Sequence, residues 1–344
     1  MRFTVPTVIL MMAAVLLTGC SIPTRGPDQA ERDNWSRVIE FALRALPGVL
    51  DASHLFDYEG KSRTYHSRLF VRLEDGATPD EAASVVRAMG AQQLPPRYQG
   101  DQTEVHLDRM TDSYYANWRF GRDVSREANS AHTWARVSAP GTQVHWSSRG
   151  IDVDQMSNAI GVGAGSQAEP HRAIAAMRRI IQDFPELASN DWTVATLDEG
   201  DGSAINDHSR LEPGWLNSDR RPLFPSSRPR FPSTSELEMW EWFLTDQPTP
   251  FFVEISVYDP PGKAGRTLDV AIYPPVGQQL TAAQATQLAE KHLPYLAQPG
   301  AVVDYTIQTR NGPTFAVFIG GCPQPSWRDV SPESQPYASQ YERC

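Results

Sequence analysis

Three short helix-capping motifs recur in the same setting along this chain of 344 residues. They pair Thr78 with Glu81, Ser166 with Glu169, and Thr281 with Gln284. In such a box the first side chain accepts a hydrogen bond from the backbone N–H three residues later. The side chain of that later residue bonds back to the N-cap N–H. Each motif follows a predicted strand and precedes a run with helical apolar periodicity, so it predicts where a helix begins.

The same order of elements surrounds each motif. A helix and two strands precede it, and a helix and a further strand follow it, at residues 103–107 in the first case. Before the first motif, Leu69, Val71 and Leu73 alternate with Phe70 and Arg72, as in a strand with one buried face. The sequence therefore predicts an α+β fold of triplicated α-β-β-α-β units, with antiparallel sheets and helices packed on them.

The predicted elements divide the chain into seven segments. These are a signal peptide (1–19), a tether (20–29), unit 1 (30–115), unit 2 (116–205), a Pro-rich linker (206–235), unit 3 (236–319) and a tail (320–344). Identity between the units is low, so an ancient duplication and a chance repetition of a common layout both stay open. The layout is similar to that of ferredoxin-like modules, a likeness that carries no function.

The N-terminal residues have the pattern of a secretion signal. Arg2 precedes an apolar run over residues 5–17, and the run ends in the tetrapeptide LTGC at residues 17–20. A run of roughly 14 residues is shorter than the roughly 20 that a membrane-spanning helix needs. The tetrapeptide resembles a bacterial lipobox, in which a peptidase cuts before the cysteine and the cysteine sulfur carries a diacylglyceryl group. The alternative is a plain secretory signal with an accidental cysteine.

The lipobox resemblance implies a mature chain that begins at Cys20 and is lipid-anchored on the extracytoplasmic face of the cell membrane. One acyl chain holds a protein only marginally, whereas two or three anchor it stably. Only three of the 31 basic residues are lysines, a bias similar to that of high-GC bacteria such as actinobacteria. The chain thus resembles actinobacterial-type lipobox lipoproteins of uncharacterised function.

Charge and cysteine content narrow the class of partner and the redox setting. Acidic residues number 41 against 31 basic ones, a formal net charge of −10, so the basic footprint of a nucleic-acid-binding protein is missing. If Cys20 carries lipid, Cys322 and Cys344 are left in a compartment that permits disulfides. We expect them to bond to each other and pin the tail; pairing with another chain is the alternative.

Sequence motifs for catalysis and metal binding give little support to an enzyme. The hydrolase patterns G-x-S-x-G and S-x-x-K do not occur, and the eight histidines lack metal-binding spacing. His54 and His66, which could face each other across a hairpin, form a weak zinc candidate. Trp240 and Trp242 beside Glu241 fit either a ligand platform or a core position.

Two loop segments also resemble ligand sites only superficially. The glycine-rich residues 161–166 match neither a dinucleotide nor a P-loop pattern, and the acidic residues 198–207 do not match a calcium-binding EF-hand. The same holds for Asp152 and Asp154. We therefore expect neither cofactor nor metal, and these segments are interpreted as ordinary turns.

The predicted location of the chain in the cell envelope says more about its function than any sequence motif does. The sequence favours a non-enzymatic envelope protein that is held at the membrane and binds an envelope protein or a small-molecule ligand. The alternative is an extracytoplasmic envelope enzyme, most simply a hydrolase. An exposed apolar surface without converging acid, base and nucleophile would favour binding, and a deep pocket with such groups would favour catalysis.

Overall fold

Helices and strands alternate in one fixed order through the computed structural model. It describes residues 28–92, 94–98, 101–138, 143–149, 157–163, 170–189, 191–195, 214–218, 231–245, 247–249, 251–257, 265, 267–274, 278–298, 300–309, 315–322 and 331–344. The helices within these ranges are α1 (Gln29–Arg44), α2 (Pro79–Gly90), α3 (Ser125–Val137), α4 (Pro170–Asp183), α5 (Thr234–Phe243), α6 (Ala282–Leu296) and α7 (Gln335–Tyr341). The strands are β1 (Val49–Glu59), β2 (Thr64–Leu73), β3 (Gln102–Arg109), β4 (Asp112–Arg119), β5 (Gln143–Arg149), β6 (Ser157–Gly163), β7 (Asp191–Ala195), β8 (Gly214–Ser218), β9 (Phe252–Val257), β10 (Leu268–Tyr273), β11 (Val303–Ile307) and β12 (Phe315–Ile319).

The twelve strands form one mixed sheet in chain order, from β1 at one edge to β12 at the other. Strands pair into antiparallel hairpins, β1 with β2 and so on to β11 with β12. Each hairpin joins the next through a parallel pair. Parallel neighbours need a crossover connection, and α2 to α6 supply it. The repeating unit is therefore α-β-β, present six times.

The predicted α+β class, with helices packed on sheet, is confirmed. The order α-β-β-α-β does recur three times, but each predicted unit is two α-β-β repeats. The expectation of antiparallel sheets needs correction, because antiparallel hairpins alternate with parallel contacts in one sheet. Each α-β-β-α-β unit is followed by one further strand, β4, β8 or β12, and this strand completes the second α-β-β repeat.

At three places the structure has an element across or inside the segments that the sequence predicts. The division at residues 115 and 116 falls inside β4, whose many polar residues hide its strand character. The predicted linker 206–235 contains β8, five residues long among prolines and serines. The tail, expected to be irregular, contains α7, a helix of seven residues that is too short to show apolar periodicity.

The sheet has two faces with different environments. On β2 and β3, residues such as Leu69, Val71 and Val105 are fully buried, and the neighbouring residues on each strand point the other way. The buried side is covered by helices: Tyr114 donates its hydroxyl to the Glu127 carbonyl of α3 at 2.8 Å. We call this side the helix face and the opposite side the outer face.

Capping boxes set the start of three crossover helices, α2, α5 and α6, whereas α3 begins without a side-chain cap. The Thr78 hydroxyl accepts from the Glu81 N–H at the start of α2, and Thr281 accepts from Gln284 at the start of α6. Both predicted motifs are confirmed. The predicted motif at Ser166 lies outside the described residues. A box that sequence reasoning missed, with Ser233 as N-cap, begins α5.

The edge at β1 is closed by side chains of α1. The backbone groups of residues 52, 54 and 56 point away from β2, where another strand could pair with them. Arg32 donates to the Phe56 carbonyl, Arg44 donates to the Ala52 carbonyl, and the Glu40 carboxylate accepts the His54 N–H at 2.9 Å. Addition of a foreign strand is blocked at these positions.

The opposite edge, at β12, is closed by the tail. The Glu342 carboxylate accepts the Phe318 N–H, and the Gly320 N–H donates to the Tyr341 carbonyl, both at 3.0 Å. Cys322 and Cys344 are joined by a disulfide, with their Cα atoms 4.8 Å apart. This is the pairing that the sequence predicts, and it fixes the chain end beside the last strand.

Candidate binding face

The outer face is exposed in the first two repeats. Its residues on β1 and β2 include Leu55, of which 47% is exposed, and Phe70, of which 36% is exposed. Large apolar side chains on a sheet face are normally covered. These two are therefore not explained by the needs of the fold.

An aromatic row extends from Phe70 across the next two strands. The register places Phe70 beside His106 on β3, and His106 beside Tyr115 on β4. The Phe70 and His106 rings stack with centroids 4.7 Å apart and an interplanar angle of 16°. The Tyr115 ring is 4.9 Å from His106 and tilted by 61°. The result is a preformed, rigid surface of ring faces and edges.

Charged groups border the aromatic row. Arg68 pairs with Asp57 on the neighbouring strand, and Glu104 lies 4.0 Å from His106. Burial lowers the pKa of His106, and Arg68 lowers it further. The imidazole is therefore neutral at neutral pH and keeps one donor and one acceptor nitrogen. We call Leu55, Arg68, Phe70, His106 and Tyr115 the outer patch.

A polar cluster continues the outer face beyond the aromatic row. The Ser113 hydroxyl lies 2.6 Å from Nδ1 of His145 on the adjacent parallel strand. Asp108 is the register partner of Ser113 on the other side, and burial raises the pKa of its carboxyl. A hydroxyl within hydrogen-bond reach of an imidazole is the arrangement of a nucleophile and its base. However, only 7% of His145 is exposed, so a substrate has little access to the pair.

The outer face changes character at the far end of the sheet. On β11 and β12 its residues Asp304, Ala316 and Phe318 are buried, as is Ser256 on β9. The same face is thus closed around the last repeat. Exposure of the outer face is a local property of the first two repeats.

Sequence candidates for metal and ligand binding fall in unrelated places. His54 is on the helix face between the hydroxyls of Ser36 and Ser67, at 3.0 and 2.7 Å. Its register partner is Leu69, so it does not meet His66, which is opposite Asp57. The prediction of a zinc site formed by His54 and His66 is therefore wrong. No group of three or more potential ligands that could hold a metal occurs in the described ranges.

The tryptophan pair of α5 is part of the packing. Trp240 is fully buried, and Trp242 stacks on Tyr295 of α6 with ring centroids 3.9 Å apart. Glu241 between them pairs with Arg178 of α4 at 3.1 Å. The core interpretation of this motif is therefore the correct one, since both rings hold helices together.

Other predicted sites lie outside the described residues. These are Cys20, residues 164–166 of the glycine-rich segment 161–166, Asp152 with Asp154, and the acidic residues 198–207. Residues 161–163 of the glycine-rich segment form the end of β6. Within the part of the chain that is described, no helix is long and apolar enough to cross a bilayer.

Two pockets of moderate size lie beside the helices. One, of about 410 Å³, is lined by α5 and α6 residues that include Glu238, Met239 and Tyr295. The other, of about 390 Å³, lies at the start of α6 and includes Thr281 and Ser331. No histidine, cysteine or lysine is among their described lining residues.

Comparison with known proteins adds no relative. No family model, no curated protein and no solved structure matches the chain.

Proposed function

We propose that this protein is a lipid-anchored envelope protein that binds a partner through the outer patch and performs no catalysis itself. The observation that carries the proposal is the exposure of Leu55 and Phe70 on a sheet face whose residues Ala316 and Phe318 are buried in the last repeat. Exposed apolar patches rimmed by polar groups are characteristic of interaction sites. Aromatic side chains and Arg, both present here, are the residues that most often dominate binding energy.

The closed edges of the sheet support a face rather than an edge as the contact. Binding by strand addition needs free backbone groups, and α1 and the tail occupy those of β1 and β12. The aromatic row offers side chains instead. A protein surface in the cell envelope is the partner that fits best, because the patch is open and flat rather than a deep pocket for a small molecule.

Photocrosslinking in intact cells tests this function. A photoreactive phenylalanine analogue replaces Leu55 or Phe70, and in the control it replaces Arg87, which is exposed on the outside of α2. We expect one discrete adduct of the same mass from positions 55 and 70, weakened by Tyr115→Ala, and none from position 87. Equal labelling from all three positions would contradict a specific patch.

The lipid anchor is tested separately at Cys20. Cys20→Ala should abolish lipid modification and leave the protein unprocessed or released from the membrane. Metabolic labelling with a palmitate analogue reports the modification. A correctly cut Cys20→Ala protein that still fractionates with membranes would rule the anchor out.

A hydrolase is the second candidate, and the 2.6 Å contact of Ser113 with His145 favours it. If this pair were catalytic, a fluorophosphonate probe would label Ser113, and Ser113→Ala would abolish the labelling. The binding proposal predicts no labelling in either protein. The probe experiment therefore separates the two functions without knowledge of a substrate.

A further inference from the structure

The first helix carries two large apolar side chains that are exposed to solvent. Phe41 is 79% exposed and Val38 is 46% exposed. They are three residues apart, hence on one side of α1, while Ile39 and Leu43 on the other side are fully buried. We call Val38 and Phe41 the α1 surface.

The α1 surface sets this helix apart from the crossover helices α2 to α6. Within the described ranges the large exposed apolar residues are Val38, Phe41, Leu50, Leu55, Phe70 and Met110. Of these, only the first two are on a helix. Most of the Phe41 side chain lies outside the core, so it is available for a contact outside the domain.

The position of α1 in the chain limits what that contact is. The helix begins at Gln29, nine residues after Cys20. At about 3.5 Å per residue, even a fully extended tether keeps the start of α1 within roughly 30 Å of a lipidated Cys20. With a rise of about 1.5 Å per residue, Phe41 is roughly 18 Å further along the helix. The α1 surface therefore stays within roughly 50 Å of a lipidated Cys20 and can reach the bilayer.

Size and charge also favour a lipid surface. A stable dimer interface buries on the order of 1,200 Å² or more, which two side chains do not supply. A tethered helix needs only weak interfacial affinity, because the anchor keeps its local concentration high. Arg37 is exposed on the turn before Phe41, and its long side chain can reach lipid phosphates while its stem stays apolar.

We propose that α1 lies on the membrane that carries the lipid anchor, with Phe41 and Val38 inserted at the headgroup boundary. This inference rests on the proposed anchor at Cys20. It also fixes the orientation of the molecule. Since α1 packs on the helix face, the outer patch on the opposite side of the sheet faces away from the bilayer, where an envelope partner reaches it.

Fluorescence in reconstituted vesicles tests the contact. The full-length lipidated protein is placed in vesicles of phosphatidylethanolamine and phosphatidylglycerol, with an environment-sensitive fluorescent amino acid at position 41. The matched control carries it at position 72, which is exposed on the outer face of β2. Brominated lipids should quench the position 41 probe several-fold more than the position 72 probe. Equal quenching at the two positions would overturn the inference.

Two further readouts separate this inference from its premises. Mass analysis of the N-terminal peptide shows whether Cys20 is acylated; an unmodified Cys20 would overturn both the anchor and the membrane contact. Acylated Cys20 without selective quenching at position 41 would overturn the membrane contact alone. Quenching should be equally strong when vesicles hold several copies and when they hold fewer than one copy on average. Quenching that appears only on dilution would mean that a second copy covers Phe41, contrary to the inference.

Discussion

The outer face of the sheet is exposed at one end of the molecule and buried at the other. In the first two repeats Leu55 and Phe70 are 47% and 36% exposed, whereas in the last repeat Ala316 and Phe318 are 2% and 5% exposed. The helix face, by contrast, is buried at both ends, as Leu69 and Val317 show. The repeat thus needs only its helix face to fold. Apolar groups on the outer face of the first repeats are free to serve binding.

The largest expected effect is a difference in unfolding free energy between substitutions at two neighbouring positions on opposite faces of the sheet. Leu69→Ala removes a fully buried side chain of the helix face and should cost about 3 kcal/mol of unfolding free energy. Phe70→Ala, on the outer face, should cost less than about 1 kcal/mol. Urea denaturation measures both. Equal costs would show that the aromatic row belongs to the core, and the contrast between faces would fail.

The two sheet edges should respond to different treatments. Replacing Cys322 and Cys344 together by Ser releases the tail at β12 and should cost roughly 3 kcal/mol in the chain-entropy model. At β1, Arg32→Ala removes a buried donor to the Phe56 carbonyl and should cost about 2 kcal/mol. Arg37→Ala, on the exposed side of the same helix, is the control and should change stability little. Hydrogen exchange at the Gly320 amide should accelerate on reduction, while His54, held by α1, should keep its protection.

Acid should weaken the helix face through its buried histidines. Burial lowers the pKa of His54 from 6.5 to about 4, and that of His292 in the last repeat to about 3. In the unfolded chain the two imidazoles bind protons from about pH 6.5 downwards. The stability that comes from keeping them neutral in the fold is therefore fully present above pH 6.5, and it is lost as pH falls through the folded-state pKa values. For His54 the loss of unfolding free energy should be on the order of 3 kcal/mol.

A variant isolates the histidine effect. His54→Asn cannot titrate but can still bond to Ser36 and Ser67, so it should lose less stability than the wild type between pH 6.5 and 4. The difference between the two proteins is the quantity to measure, because Asp112 acts in the opposite sense. Burial raises its pKa to about 6, which favours the folded state at low pH. Identical pH profiles would contradict a buried neutral His54.

The smallest expected effect is the loss of stability when the capping boxes of α2 and α6 are removed. Thr78→Ala and Thr281→Ala remove equivalent N-cap bonds of α2 and α6, and each should cost about 1 kcal/mol. Thermal or urea unfolding provides the values. A cost at one site only would show that the two repeats do not use their boxes in the same way.

Much of the fold could be predicted from the sequence because its signals are local. A capping box is complete within four residues, and the alternation of Leu69, Val71 and Leu73 defines a strand face without its neighbours. The disulfide followed from counting cysteines. By contrast, β8 and α7 are short and rich in polar residues, and pairing with β7 and β9 or packing against β12 defines them. Such tertiary contacts leave no local period in the sequence.

The candidate site was harder to predict than the fold. Phe70 interrupts the polar side of β2, and this was the one visible signal of an apolar outer face. His106 and Tyr115 come from one hairpin and Phe70 comes from another. His106 meets Phe70 only through the parallel pairing of β2 with β3, and Tyr115 joins the row through the register of β3 with β4. Parallel register is not encoded in any single segment. The aromatic row could therefore be recognised only after the strands were placed.

Covalent footprinting in living cells tests the central claim most directly. A carbene probe is applied to intact cells and to the purified protein, and labelling around Phe70 is compared with labelling around Arg87 on α2. Occupancy of the outer patch predicts several-fold protection of the Phe70 segment in cells and equal labelling of the Arg87 segment in both samples. Equal labelling of the Phe70 segment in cells and in purified protein would contradict the account.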